Sequence, residues 1–473
     1  MRKLLPLLIL LLSLVSCQKQ EETVVFKAAL AQEPPTLDVT VSSSISSRMI
    51  ASGNIYEKLL TLEDGKLRPL LAASWEVSED GKRAVFRLRD GVTFHDGSPM
   101  RPEDVSASLN RWLESYKPAG ELLGESRFVP EDGEVRIESS GSLALLPLML
   151  ASSPQAAVVM PERVLGPLVT EYIGTGPYRF AGWKSGEGVR VESYDGYWGE
   201  KPQIEEISYL FVPDSVTRRL GLETGLYSAI DTVSNDDIPA LSGNSKVTVL
   251  QGEESGSIAL VLNRDAGPFQ DVALRRALAL LVDRENLMRA CYGETGYSIH
   301  TDYMEESVWS VPDFLDMYGR KDGEEGRRLL DGFEGPVRIL VSNLSGLDRI
   351  ALALASELDE AGIEAEVTAL DWVSFLERRK DTGVWDICIS AYTRTALPTQ
   401  KAYLQGYEEL LRPVSSAASE EEAARAWQEA QIALWDDVPV IIPGHYSTSY
   451  AVSSRVKGVR VSDGFYFDRA YVE

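Results

Sequence analysis

The sequence predicts a multi-lobed α/β protein, and three observations carry that expectation. The chain has 473 residues, enough for two or three lobes with separate cores. Between 336 and 391, apolar strand-like runs alternate with helical patterns. Strands are expected at 336–341, 363–370 and 385–391. An amphipathic helix at 347–362 carries Ile350, Leu354 and Leu358 on one face, and a second is expected at 373–379. This β-α-β-α order argues for a lobe containing parallel strands. The composition, 44% apolar and 25% charged, suits a soluble globular body. No repeat, low-complexity tract or phosphate-type glycine loop interrupts it.

The N-terminus reads as a processing signal. Arg2 and Lys3 precede an apolar run, 4–14, that is too short to span a bilayer as a mature helix. Leu14-Val15-Ser16-Cys17 resembles a lipobox, which implies cleavage before Cys17, diacylation of its thiol and a polar tether over 18–22. Several acyl chains anchor firmly where one binds marginally. The rest of the chain holds no further membrane-spanning segment and is expected to be exported, lipid-anchored to a bacterial membrane and facing the periplasm or exterior. The formal charge is −25; loss of Arg2 and Lys3 would make it −27. A field of that sign repels nucleic acid and anionic membrane surface, so no nucleic-acid partner is expected, and the acid reads as solubility. Cys291 ends a predicted helix and Cys388 sits in an apolar strand. Both are expected to be buried free thiols, since neither belongs to a Cys-x-x-Cys or Cys/His spacing.

In chain order, a first strand is expected over 23–30, then an extended Ala31-Gln-Glu-Pro-Pro-Thr-Leu-Asp38, because paired prolines exclude helix. A helix is expected at 49–60. In the stretch from Ala84 to Asn110, Val85, Phe86, Leu88, Val92 and Phe94 are apolar, with Arg87, Arg89 and Asp90 between them, the period of a half-buried strand. Asp90-Gly91 and Asp96-Gly97 mark turns. Pro102, Glu103 and Asp104 suit a first helical turn, and Val105, Leu109, Trp112 and Leu113 form its apolar face.

That stretch, Phe-x-Leu-Arg-x-Gly-Val-x-Phe-His-Asp-Gly-x-Pro followed by Glu-Asp-Val, resembles the signature of the family 5 extracellular solute-binding proteins. These are the peptide, dipeptide and nickel receptors of ABC importers. Ile55-Tyr-Glu-Lys-Leu-Leu60 with Gly65 to Trp75, Gly174-Thr-Gly-Pro-Tyr-Arg-Phe180, and Asn263 with Arg275-Arg-Ala-Leu278 and Val282-Asp-Arg284 agree with it. The resemblance implies a type II (cluster C) periplasmic-binding-protein fold, two large lobes with a hinge and a small extra domain. It assigns 18–50, 172–262 and 447–473 to domain I, 51–171 to a shortened domain II, and 263–446 to domain III. The remaining expected elements are strands at 133–138, 204–212, 258–263 and 438–443, and helices at 143–150, 214–225, 272–289 and 420–435. Arg275 and Asp283 are read as helix caps and ion pairs.

The resemblance also implies a site. The ligand is read by the loop Ala391-Tyr-Thr-Arg-Thr-Ala-Leu-Pro398 and by the cleft-lining segment around Glu33, Pro34, Pro35 and Thr36. Peptide-binding relatives place an aspartate four residues before the matching proline, against the peptide ammonium; this chain has Arg394 there. An arginine repels an ammonium and attracts a carboxylate. Three readings stay open: a reversed or anionic ligand, replacement of the missing acid by Glu33 or Asp371, or a realigned loop with Arg394 outward. Tyr392 is the first candidate for a cleft aromatic, beside Trp385, Trp372 and Tyr403. Thr393 and Thr395 complete the loop, whose backbone would hold an extended peptide as a strand edge does. No enzyme and no cofactor are expected. The histidines are His95, His300 and His445, without Gly-x-Ser-x-Gly or His-Glu-x-x-His. His300 and Met304 alone do not make a metal site, and none is expected. The expected function is capture of a short peptide by a monomer and its delivery to an ABC permease. The alternatives are an anionic conjugate, an oligosaccharide or chelated nickel, or a surface lipoprotein that binds macromolecules.

Overall fold

A computed structural model of the chain describes residues 26–300, 309–310 and 321–473, apart from 64, 396 and 463. The expected signal, lipobox and tether, and Met304, lie outside the described residues.

One mixed 11-stranded sheet runs through most of the protein. Its strands are β1 (Phe26–Leu30), β2 (Tyr178–Lys184), β3 (Gly188–Ser193), β4 (Glu206–Phe211), β5 (Ala229–Ile230), β6 (Val247–Leu262), β7 (Tyr297–Ser298), β8 (Val337–Ser342), β9 (Ala365–Leu370), β10 (Ile387–Thr393) and β11 (Val440–Ser453). Their spatial order is β9-β8-β10-β6-β11-β5-β1-β4-β3-β2, with β7 beside β11. β8 runs parallel to both β9 and β10, as the alternation over 336–391 requires. β1 is parallel to β4 and β5. The long pair β6–β11 is antiparallel from Val247↔Ser453 to Val261↔Val440 and lies in the middle of the order.

Separate cores form on either side of that pair. Phe26, Leu30, Tyr178, Val191, Tyr209 and Phe465 pack at one end. Ile258, Leu278, Met288, Ile339, Ile350 and Leu354 pack at the other. The latter core draws on helices α2 (Val272–Leu281), α3 (Arg284–Tyr292) and α4 (Leu347–Glu360). A third core lies under a separate four-stranded sheet, ordered Ala72–Val77, Arg83–Leu88, Glu134–Ser139, Ser126–Glu131. Helix Pro102–Ser115 packs there through Val105, Leu109 and Trp112. Trp427 of helix Glu420–Asp437 joins the same core.

Several elements differ from expectation for physical reasons. The helix expected at 49–60 is Ile45–Ala51. It stops where the Asn54 amide donates to the Met49 carbonyl at 3.2 Å and to Phe465 at 2.7 Å, turning the chain into the core. The helix expected at 272–289 is two, because Asp283 accepts from the Asn286 amide at 3.0 Å and caps a new start. The signature strand ends at Leu88, and Val92 and Phe94 are buried beyond the Asp90-Gly91 turn. Strand 258–263 belongs to a 16-residue strand and 438–443 to a 14-residue one. Each borrows order from the other, so polar stretches that carry no local strand signal are held by pairing. Cys291 and Cys388 are buried free thiols, and burial pushes them up to about 11 and about 12. No described helix is long and apolar enough to cross a membrane.

Candidate functional site

The β6–β11 pair loses its register between Gln251 and Glu254 and again between Glu254 and Gly256. Such irregularities bend a strand and re-aim its side chains. Here three elements converge on them. β10 ends with Thr393 opposite Gly256, and the Arg394 amide continues the pairing by donating to the Ser255 carbonyl at 2.7 Å. The approach is so close that a Cβ on Gly256 would fall 2.1 Å from the Tyr392 carbonyl oxygen. From the other side β7 pairs its Tyr297 and Ser298 with Tyr446 and His445, which carries His300 in.

The result is a polar cluster that the sequence reading missed. Glu254 Oε2 meets His300 Nε2 at 3.0 Å, and Oε1 meets His445 Nδ1 at 2.7 Å. The two imidazoles stack with centroids 3.7 Å apart and planes at 16°. Both rings are buried. Burial acts to raise the Glu254 carboxyl, but the two histidine hydrogen bonds outweigh it and hold the group at about 2. Burial lowers the His445 imidazole. Lys401 is buried beside them, its Nζ donating to the Thr393 carbonyl at 3.0 Å. Burial pushes its ammonium down to about 8, with Glu254 opposing that shift and Arg394 adding to it. Two cations, Arg394 in the loop and Lys401 just after it, therefore lie next to one carboxylate.

The expected loop residues gather here. Tyr392 is half-buried and meets Tyr403 edge-to-face at 4.9 Å; burial raises its phenol to about 12. Thr393 is exposed, Arg394 half-buried, and the Thr395 hydroxyl donates to the Leu397 carbonyl at 2.7 Å. Trp385 is elsewhere. It packs with Leu340, Phe375 and Cys388, and its indole N–H donates to the Arg379 carbonyl. Trp372 is 40% exposed on a separate helix.

The stretch 33–36 follows β1, from which β10 is separated by β6, β11 and β5. Glu33 accepts from the Trp183 indole at 2.9 Å and the Gly186 amide at 3.0 Å. These donors, the indole first, lower its carboxyl. Pro34 is buried and Pro35 exposed. The Thr36 hydroxyl accepts from the Asp38 amide, and its carbonyl from Ser47. Asp371 caps its helix through Val373 and Ser374. Both candidate replacements for the missing acid thus hold local structure. Glu254, on neither list of expectations, is the carboxylate one residue from the loop's backbone partner. Only the bulged pairing places it there, and no local pattern announces that pairing.

His95 has another role. Its Nδ1 accepts from the Gly174 amide at 3.2 Å and its Nε2 faces the Gly176 carbonyl at 3.0 Å. It ties the first signature stretch to the second. Arg275 and Asp283 serve as ion-pair and cap: Arg275 meets Asp437 at 2.5 Å and Asp283 meets Lys321 at 2.8 Å.

A bilobed α/β body with two long strands crossing between its halves is the architecture of a periplasmic binding protein. The chain belongs to the bacterial extracellular solute-binding proteins, family 5, whose model matches residues 66–408. It is 24% identical to the dipeptide-binding protein of Escherichia coli over 85% of this chain and 86% of that protein. It is 24% identical to heme-binding protein A of Haemophilus influenzae over 94% and 90%. An ABC transporter substrate-binding protein of Listeria monocytogenes superposes with a TM-score of 0.85 at 18% identity, covering 95% of this chain and 99% of that structure. The fold expectation holds, and the family is one of substrate-binding transport proteins.

Proposed function

We propose that this chain is the substrate-binding component of an ABC importer, capturing a short peptide between two lobes and delivering it to a membrane permease. The lobes are those assigned from the sequence, 18–50 with 172–262 and 447–473 against 263–446, with 51–171 as the smaller domain. The observation that carries the reading is the junction of β10 with the bulged β6–β11 pair, which sets the loop 391–395 at the crossing between the two halves of the sheet. Closure about such a crossing buries whatever the loop holds.

The loop's chemistry bears on the ligand's orientation. Arg394 and Lys401 supply positive charge where an ammonium-reading acid was expected. The peptide's carboxylate, rather than its N-terminus, is the end placed here. The same cations favour, as a second reading, a small anionic conjugate. Peptides are retained as the main reading because the relative from Escherichia coli is named for a dipeptide.

Titration with di- and tripeptides checks this. Arg394→Asp is expected to weaken binding at least tenfold and to spare the fold. Unchanged affinity for every ligand removes Arg394 from the site. The anchor belongs to the same proposal. Cys17→Ser should shift the protein from the membrane fraction to the soluble fraction, and retention at the membrane contradicts lipidation at Cys17.

A further inference from the structure

We infer that Glu254, His300 and His445 form a binding site for one divalent transition-metal ion at the crossing of the lobes. The chain has 3 histidines in 473 residues. Two of them, 145 positions apart, meet on one carboxylate, and the third is committed to backbone at the Gly174–Gly176 turn. Three separate pieces of chain supply that meeting: the irregular stretch of β6, the residues just after β7, and β11.

The donor set suits an ion. One nitrogen of each imidazole and a carboxylate oxygen lie within 4.8 Å of one another. The nitrogen–oxygen separations are 3.0 Å and 2.7 Å. Neighbouring ligands around an ion bound at ~2.1 Å stand ~3 Å apart, so the donors are at ligand spacing, and the two stacked rings, with planes at 16°, must rotate out of their stack to aim both lone pairs at one ion. In a neutral imidazole the proton resides on either nitrogen. In the metal-free cluster His300 Nε2 and His445 Nδ1 donate to the Glu254 carboxylate; metal binding replaces those hydrogen bonds, with the ring protons moved to His300 Nδ1 and His445 Nε2 and the two freed lone pairs beside the carboxylate. No proton need leave the protein. Two imidazole nitrogens and one oxygen favour zinc, cobalt, nickel or copper over magnesium or calcium, which prefer all-oxygen shells. Three protein donors leave a fourth position to water or to a bound solute.

The competing charges are the nearby Lys401 and Arg394. Lys401 directs its ammonium to the Thr393 carbonyl at 3.0 Å, and the Glu254 carboxylate offsets one of the two charges. The plainer account is a hydrogen-bonded triad that pins the bulge without metal, and the experiment separates the two.

Chelator-stripped protein from residue 18 onward is dialysed against Zn(II), its metal content measured by mass spectrometry, and Co(II) is followed by visible absorption. The expected result is one ion per chain and a Co(II) spectrum with nitrogen ligation. Glu254→Gln and His300→Gln, which keep hydrogen-bonding groups in place, should each weaken binding at least tenfold. His95→Gln and the Cys291→Ser/Cys388→Ser pair should leave it unchanged. Absence of a stoichiometric ion, or an ion indifferent to Glu254→Gln and His300→Gln, overturns the site. If Glu254→Gln does not fold, His300→Gln alone decides. Peptide titration is run separately. Peptide binding without metal overturns this inference alone, and metal binding without any small-solute binding overturns the proposed transport role alone.

Discussion

His95 commits both ring nitrogens to the backbone of one turn, and that accounts for its protonation. Nδ1 accepts a hydrogen bond from the Gly174 amide, so the ring's own proton sits on Nε2, which donates to the Gly176 carbonyl. Burial lowers the ring to about 4. An unfolded histidine takes up its proton near 6.5. Between those values the unfolded chain binds more protons than the folded one. The stability His95 contributes is therefore full above about pH 6.5 and is lost as pH falls toward 4, amounting to about 3 kcal/mol at most. Denaturant melts of wild type and His95→Gln across pH 4–7 should show a stability difference that shrinks on acidification; a difference constant with pH contradicts this account. At this scale much was legible. Arg275, Asp283 and the two thiols follow from cap and strand context. Glu254 was not, because its neighbours Gln251-Gly-Glu-Glu-Ser-Gly256 carry no apolar period, and its partners lie 46 and 191 positions away.

Elements here are specified by pairing as much as by propensity. The β-α-β-α run from β8 to β10 was readable because β8 and β10 are apolar runs, β9 alternates, and the helix between β8 and β9 is amphipathic. β6 and β11 were legible only in their apolar ends, 258–263 and 438–443. Their middles are polar and irregular, and those middles build the candidate site. The two signature stretches show the opposite case, where a motif encodes a close approach. At the Gly174–Gly176 turn a Cβ on residue 176 would lie 2.2 Å from the Asn54 carbonyl oxygen, which is backbone and cannot step aside. Overpacking against a fixed atom costs on the order of 1–3 kcal/mol or more. Gly176→Ala should lower stability by at least that amount in thermal or urea unfolding. A variant as stable as wild type contradicts the packing described.

For the whole molecule, the bilobed sheet, the family membership and the loop at the crossing make one account: a receptor that closes on a solute. The chain carries a net formal charge of −25, and Arg394 and Lys401 set local positive charge at the crossing within that acidic balance. Fold class came from length, alternation and one signature. The ligand did not, because side chains at the crossing come from four distant segments. The measurement that tests the central claim most directly is native mass spectrometry of residues 18–473 purified without denaturation, with a di- and tripeptide mixture added to any empty fraction. The account predicts bound masses in the range of short peptides, reduced in Arg394→Asp. A bound mass of a single non-peptide solute, or a protein that stays empty with every peptide offered, contradicts it.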